Sequence, residues 1–250
     1  YLHAGESVPI ENYEVPRVHH HYKETSDDKA DWNRLMDAIA NGISSGEMTK
    51  VVSSREVEFT SETPYNVASI LANLVDNNPN CFIFGYEKDG RTFVGASPEI
   101  LVRHRGSEIL SYALAGTAPK DGPNAWTKEQ LLTNTKNIVE HNIVRDRIVN
   151  TMKQITPDVM VGETGIMELS HLYHLRTIIT AKDSTKSLVE WAKLLHPTPA
   201  LGGEPREKAL ALLQEYESHE RGMYAAPFGF MKDMGDGIVV VAIRSALIMD

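Results

Sequence analysis

Four charged residues occupy positions where packing alone would favour an apolar side chain. They are Lys50 at the start of an alternating run, Glu99 after GASP, Glu140 within an apolar helical pattern, and Arg244 inside VVVAIRSALI. Ionisable groups in such surroundings are candidates for proton transfer or for binding a charged ligand. Each also has a structural explanation, because lysines at strand ends reach water, glutamates cap helices and strand arginines often face solvent.

Glu140 is the position that packing explains least. Ile143 and Val144 follow it by three and four residues, so they share its face of a helix. A carboxylate that lies against apolar side chains needs a positive partner, because an unpaired charge away from water is costly. We therefore expect a cation beside Glu140.

The composition restricts the class of protein. The 250 residues are 42% hydrophobic and contain no repeat, which favours a single domain over residues 1–250. The formal net charge of −9, with scattered lysines and arginines, argues against nucleic acid as a partner. No apolar run approaches the roughly 20 residues that cross a bilayer, so we expect no membrane partner. The lone Cys81 cannot form an internal disulfide, which fits a reducing cytoplasm.

The spacing of apolar residues predicts five helices. Helical spacing begins at Lys29, with Ser26 as a candidate cap and Gly46 as a stop, and a second helix has Thr63 as its cap and Pro64 in its first turn. Three further helices are predicted over residues 126–155, 187–195 and 206–217.

Other segments have the pattern of strands. Residues 46–59 alternate, residues 81–117 predict three strands with turns at Asp89-Gly90 and Arg105-Gly106, and residues 223–248 predict two strands around a Gly-Asp-Gly turn. Hairpins outnumber strand–helix–strand units. We therefore expect an α+β fold with mainly antiparallel sheets and helices packed outside them.

Seven segments, taken together and in order, resemble the chorismate-utilising enzymes, and within that family they are most similar to the isochorismate synthases. The segments are KVVSSR at 50–55, FVGASPEILV at 93–102, ALAGT at 113–117, KNIVEHNIV at 136–144, LYHLRT at 172–177, LHPTPALGG at 195–203 and AIRSALI at 242–248. The resemblance implies an α+β sandwich of two large, mainly antiparallel sheets with flanking helices and an active site between them, as in anthranilate synthase component I.

The resemblance also implies roles for the first two charged residues. Lys50 corresponds to the general base that deprotonates water, and Glu99 corresponds to the general acid. Water attacks ring carbon 2 of chorismate while the hydroxyl on carbon 4 leaves, which makes the protein an isomerase (a hydroxymutase). This chemistry requires a neutral Lys50 and a protonated Glu99. We expect desolvation to keep Glu99 protonated, and we expect Glu99 to be shielded from arginine and metal charge, which would oppose its protonation.

The other site residues are implied as ligand contacts. Glu140 corresponds to a magnesium ligand, and Mg²⁺ prefers oxygen donors and keeps several waters. Arg244 corresponds to an arginine on the enolpyruvyl carboxylate, where its planar fork can bind both oxygens. His174 corresponds to an active-site histidine that acts as a hydrogen-bond partner. Backbone near the ligand is implied for Gly116, Thr117 and Ala200.

Several functions remain open within the resemblance. Anthranilate and aminodeoxychorismate synthases typically have glutamine where Lys50 stands, and the latter often have a nucleophilic lysine in place of Ala115, so we expect water to be the nucleophile. Salicylate synthases share the lysine and go on to eliminate pyruvate. A non-catalytic chorismate-binding relative is the third alternative. Isochorismate could serve menaquinone or siderophore synthesis, and the resemblance favours a monomer.

The chain also departs from the family pattern. Asn137 stands where relatives usually carry an acid, one turn before the magnesium ligand. Compared with the family, residues 1–250 lack much of the amino-terminal region and the last strand and helix, which carry a second magnesium carboxylate. We therefore expect these 250 residues alone to bind magnesium weakly and turn over slowly.

Overall fold

The structure is a computed structural model that describes residues 28–249, together with positions 15, 17, 18 and 20–26. It contains helices and antiparallel strands in separate parts of the chain, so the predicted α+β class is confirmed. The helices are α1 (Lys29–Ser44), α2 (Val67–Asn77), α3 (Lys128–Thr133), α4 (Thr135–Lys153), α5 (Leu188–Leu195) and α6 (Arg206–Tyr216). Within this part of the chain, none of the helices is both long enough and apolar enough to cross a membrane.

The strands pair antiparallel throughout. In chain order they are β1 (Tyr22–Glu24), β2 (Lys50–Val51), β3 (Phe59–Ser61), β4 (Phe82–Lys88), β5 (Arg91–Ser97), β6 (Ile100–Arg105), β7 (Glu108–Pro119), β8 (Val159–Val161), β9 (Gly165–Glu168), β10 (Leu172–Lys182), β11 (Gly203–Glu204), β12 (Pro227–Met231), β13 (Gly237–Val241) and β14 (Ser245–Met249). A seven-stranded sheet has the order β12-β13-β6-β7-β10-β8, with β9 also paired to β10. A second sheet has the order β14-β5-β4, and two small ladders join β1 to β3 and β2 to β11.

The seven-stranded sheet has apolar side chains on both faces. Alternate residues of β7 and β10, such as Ile109 and Ile179, pack against α4 and α5, where Trp191 is fully buried. The opposite face includes Phe228, whose ring centroid lies 4.8 Å from that of Phe84 on β4 of the other sheet. The two sheets therefore form a sandwich with helices outside it, as the sequence predicts.

The predicted start of the first helix at Lys29 is confirmed, but the caps predicted for the first two helices are wrong. The residue that precedes α1 is Asp28, and Ser26 lies outside the helix. Helix α2 begins after Asn66, whose side chain accepts a hydrogen bond from the Ser69 backbone at 2.8 Å, so Thr63 and Pro64 lie before it. A side-chain acceptor that satisfies a free N–H of the first turn sets the start of a helix.

Residues 81–117 form four strands instead of the predicted three. The turns at Asp89-Gly90 and Arg105-Gly106 are confirmed, but β4 and β5 belong to one sheet and β6 and β7 to the other. The chain changes sheets at Pro98 and Glu99. Proline has no N–H to donate to a ladder, which favours a break at this point.

The structure differs from the sequence prediction in four other places. The predicted helix 126–155 is interrupted at Asn134, whose side chain accepts from the Asn137 backbone at 3.0 Å and caps α4. Strands β8 to β10 were not predicted. Of residues 46–59, only the Lys50–Val51 pair and Phe59 lie in strands, and Arg244 lies in the break between β13 and β14 with a φ of 53°.

Gly203 allows β11 to approach β2 closely. Its φ is +149°, and a Cβ atom built on it would lie 2.2 Å from the carbonyl oxygen of Lys50. Any side chain at this position would push the two strands apart and strain the backbone.

We expect Gly203→Ala to lower the free energy of unfolding by about 2 kcal/mol or more, because the Lys50 backbone must move. Urea denaturation measures this change. Gly165→Ala is the matched control, because a Cβ atom there meets no atom within 4 Å. Equal stability of the two variants would contradict the close approach.

Candidate active site

Lys50 and Glu140 form an ion pair at the start of β2. Lys50 is 9% exposed, and its Nζ donates to Glu140 Oε1 at 2.6 Å. The other oxygen of Glu140 accepts from Lys136 Nζ at 2.8 Å. The expected cation beside Glu140 is therefore confirmed, and two cations are present.

Helix α4 presents Glu140 towards β2 because its other positions are fixed by packing. Val144, Ile148 and Met152 are buried on the helix and hold it against the seven-stranded sheet. Burial of Glu140 opposes its ionisation, but hydrogen bonds from Lys136 and Lys50 outweigh that effect and lower its pKa. Glu140 is therefore an anion in the absence of a metal.

Glu99 lies at the corner between β5 and β6 and is 3% exposed. Burial raises its pKa from 4.5 to about 8, and the charge of Lys50 opposes this rise. Its Oε1 is buried without a hydrogen-bond partner in the described part of the chain. The rise agrees with the expected effect of desolvation, and the cation whose charge opposes it is Lys50. Because the charge of Lys50 reaches Glu99, the two groups occupy the same region.

His174, Thr117 and Arg244 form a second cluster. A guanidinium of Arg244 contacts His174 Nε2, and His174 Nδ1 lies 2.8 Å from Thr117 Oγ1. A guanidinium can only donate, so Nε2 accepts and Nδ1 carries the proton that is donated to Thr117. Burial, followed by the charge of Arg244, lowers the pKa of His174 to about 4. The imidazole is therefore neutral near pH 7.

Helix α4 also contacts β7, the strand that carries Gly116. This contact links the two clusters. Gly116 has a φ of +81°, and a Cβ atom there would lie 3.0 Å from the Asn137 carbonyl oxygen. Nδ1 of the buried His141 lies 3.1 Å from the Ala115 carbonyl oxygen. The helix turn that bears Glu140 is therefore packed directly against β7 at the residue before Thr117.

Ala200 lies in the turn that follows α5. The Ala200 backbone N–H donates to the Thr198 hydroxyl at 3.3 Å. The turn is joined to the Lys50 segment because the Val52 N–H donates to the Gly202 carbonyl at 2.8 Å. The structure thus places Lys50 and Glu140 in one hydrogen-bonded cluster, places Thr117, His174 and Arg244 in a second one, and joins the Ala200 turn to the Lys50 segment. Glu99 belongs to neither hydrogen-bonded cluster.

Two neighbours of the site were not predicted. Lys136 precedes Glu140 by four residues, and this helical spacing alone could have identified it as a partner. The pKa of Tyr224 is raised by burial and, to a smaller extent, by the charge of Glu99, so Tyr224 also lies near the acid. Nothing in the local pattern around Tyr224 indicates this proximity.

Comparisons with known proteins agree with this arrangement. The family model for chorismate binding enzymes matches residues 6–250. The chain belongs to this family. Isochorismate synthase MenF of Bacillus subtilis is 36% identical over 227 residues, which are 88% of this chain and 48% of that protein.

Two further relatives extend the comparison. The salicylate biosynthesis isochorismate synthase of Pseudomonas aeruginosa is 31% identical over 90% of this chain and 48% of that protein. The crystal structure of the menaquinone-specific isochorismate synthase MenF from Escherichia coli aligns with a TM-score of 0.85 at 27% identity, over 96% of this chain and 57% of that one. The chain thus spans about half the length of the curated relatives it matches.

The raised pKa of Glu99 should make stability depend on pH. Its pKa is about 8 in the folded protein against an ordinary 4.5. Its stabilising contribution to the free energy of unfolding is therefore fully present below the ordinary pKa and is lost as the pH rises through the pKa of the folded protein. Relative to Glu99→Gln, the free energy of unfolding of the wild type should fall by about 1.4 kcal/mol per pH unit within that window.

Urea denaturation at about pH 5.5 and about pH 7.5 measures this dependence. Glu215→Gln, at an exposed position of α6, is the control and should follow the wild type. If Glu99→Gln and the wild type show parallel pH dependences, Glu99 is ionised in the folded protein.

Proposed function

We propose that the protein is an isochorismate synthase that reversibly converts chorismate to isochorismate. Water adds at ring carbon 2, the hydroxyl on carbon 4 leaves, and the double bond shifts. The observation that carries this proposal is the presence in one region of the Lys50 amine and a buried, protonated Glu99. The names of the relatives support the reaction and suggest a role in menaquinone or siderophore synthesis.

Glu99 supplies the proton in this reaction. Because its pKa is about 8, it is mostly protonated at neutral pH and can donate to the departing hydroxyl. Lys50 accepts a proton from the attacking water. Its Nζ donates to Glu140 Oε1 at 2.6 Å, so this contact has to open before the amine can act as a base.

The second cluster binds the enolpyruvyl side of the substrate. Arg244 binds the carboxylate there with its planar fork. Neutral His174 accepts from Arg244 and so orients the guanidinium without adding charge. The left-handed Gly116 and the exposed Thr117 place main chain next to the ligand, and the Ala200 turn, which is joined to the Lys50 segment, supplies further main chain.

The residues of the site fit a magnesium ion. Glu140 offers two carboxylate oxygens that already hold two ammonium groups, and a hard cation prefers such donors. Mg²⁺ keeps several waters, so one carboxylate and the substrate can hold it. Bound there, the ion would neutralise the ring carboxylate of chorismate. Within the described residues no group of three or more acidic, histidine or cysteine side chains is placed to hold a metal, so the ion would depend on Glu140, water and the substrate.

The reaction is tested by incubation with chorismate and Mg²⁺ and separation of the products by chromatography. We expect isochorismate to form, and Lys50→Ala should reduce its formation by about 100-fold or more, because a general base contributes on this scale. Lys88→Ala, at an exposed position of β4, is the matched control. Salicylate with pyruvate would indicate a salicylate synthase, and binding without conversion would indicate a non-catalytic relative. A fully active Lys50→Ala variant would contradict the role of Lys50.

Removal of divalent metal should stop the same conversion. After treatment with EDTA we expect no isochorismate, and addition of Mg²⁺ should restore it. Glu140→Gln should weaken Mg²⁺ binding, measured by calorimetric titration, by about tenfold or more, because it removes the anionic ligand. Undiminished turnover in buffer free of divalent metal would show that the reaction does not need the ion.

A further inference from the structure

The guanidinium of Arg221 contacts three separate segments beside the candidate site. Nη1 donates to the Leu201 carbonyl at 2.7 Å, and Nη2 donates to the Val52 carbonyl at 2.8 Å. Nε and Nη2 also donate to the two carboxylate oxygens of Glu217, at 2.8 Å and 2.6 Å. One planar group therefore joins the turn after α5, the segment after β2 and the loop after α6.

Glu217 extends this network to a second point on the segment after β2. Its Oε1 accepts from the backbone N–H and the hydroxyl of Ser54, at 2.8 Å and 2.9 Å. Burial opposes the ionisation of Glu217, but hydrogen bonds from Arg221 and Ser54 outweigh it and lower the pKa. The segment from Val52 to Ser54 is therefore held by the ion pair of Arg221 and Glu217. The Glu217 side chain is 6% exposed.

The strand that bears Lys50 needs such support. In the described part of the chain, strand β2 has two residues and pairs with the two residues of β11. A two-stranded ladder this short is marginally stable by itself. Val52 follows Lys50 by two residues, and Leu201 is the neighbour of Ala200, so both carbonyls that Arg221 binds lie next to residues of the proposed site.

We propose that Arg221 is a positioning residue that keeps the Lys50 amine and the Ala200 turn in their relative placement during the reaction. Arg221 acts through the backbone of these two segments and does not touch the substrate. The inference rests on the proposed role of Lys50. Arginine suits this task because its donors lie in one plane with fixed directions, whereas a lysine ammonium is a single point of charge.

The test compares Arg221→Lys with the wild type. Lysine keeps the positive charge for Glu217 but cannot bind Leu201, Val52 and the carboxylate together. With chorismate as the substrate, we expect kcat to fall between about tenfold and 100-fold and KM to change by less than about threefold, because a small misplacement of a reacting group acts mainly on the chemical step. Amide hydrogen exchange over residues 49–54 should become faster by about tenfold, since Val52 loses its support.

Arg105→Lys is the matched control, because Arg105 is an exposed arginine in the β6–β7 turn. Glu217→Gln is a second variant that leaves Arg221 in place. It should show a smaller loss of kcat and intermediate exchange, and it decides the proposal if Arg221→Lys does not fold. Wild-type kcat and exchange in Arg221→Lys would overturn the proposal. A loss of kcat that is matched by an equal rise in KM would overturn it as well.

The exchange measurement separates this inference from the proposed function. If the wild type does not convert chorismate, the proposed function fails, and the exchange over residues 49–54 alone decides whether Arg221 holds β2. Faster exchange in Arg221→Lys than in Arg105→Lys then supports the positioning role, and equal exchange overturns it.

Discussion

The ion pair between Lys50 and Glu140 is the contact on which the arrangement of the site depends. It joins a strand of two residues to the long helix α4, which the sheet holds rigidly through buried apolar side chains. Both charged groups are largely removed from water, so the loss of either partner would leave a costly unpaired charge. Lys50 also affects Glu99, because its charge lowers the pKa of that carboxyl. Burial raises the same pKa by more, so the net shift is upward.

The site residues lie where regular strand structure is interrupted. Glu99 stands where the chain passes from one sheet to the other, and Arg244 stands in the break between β13 and β14. Gly116 takes a left-handed conformation within β7, and the register of β10 against β7 shifts directly after His174. An interruption of a ladder turns a side chain away from the alternating direction. The continuous strands around these points keep the redirected groups in place.

Local patterns in the sequence predicted part of this structure. They failed where contacts between distant residues determine an element or its boundary. The hairpin turns and the need of Glu140 for a cation follow from neighbouring residues, and both are confirmed. The break at Asn134 and the cap at Asn66 depend on single side-chain hydrogen bonds that compete with equally plausible caps nearby. Strand β10 pairs with β7 on one edge and with β8 and β9 on the other, an environment that only the fold supplies, which is why its pattern was not recognised. The two backbone carbonyls that Arg221 binds lie 20 and 169 positions away along the chain.

The carboxylate of Glu140 lies between two ammonium groups, one from β2 and one from the preceding turn of its own helix. The single negative charge is thus shared by two positive ones. A doubly charged ion that displaced both amines would exchange two single charges for one double charge, so the electrostatic balance around the carboxylate would stay the same. Such an exchange would break the 2.6 Å contact between Lys50 and Glu140, so the binding of a divalent ion would be coupled to the release of the amine.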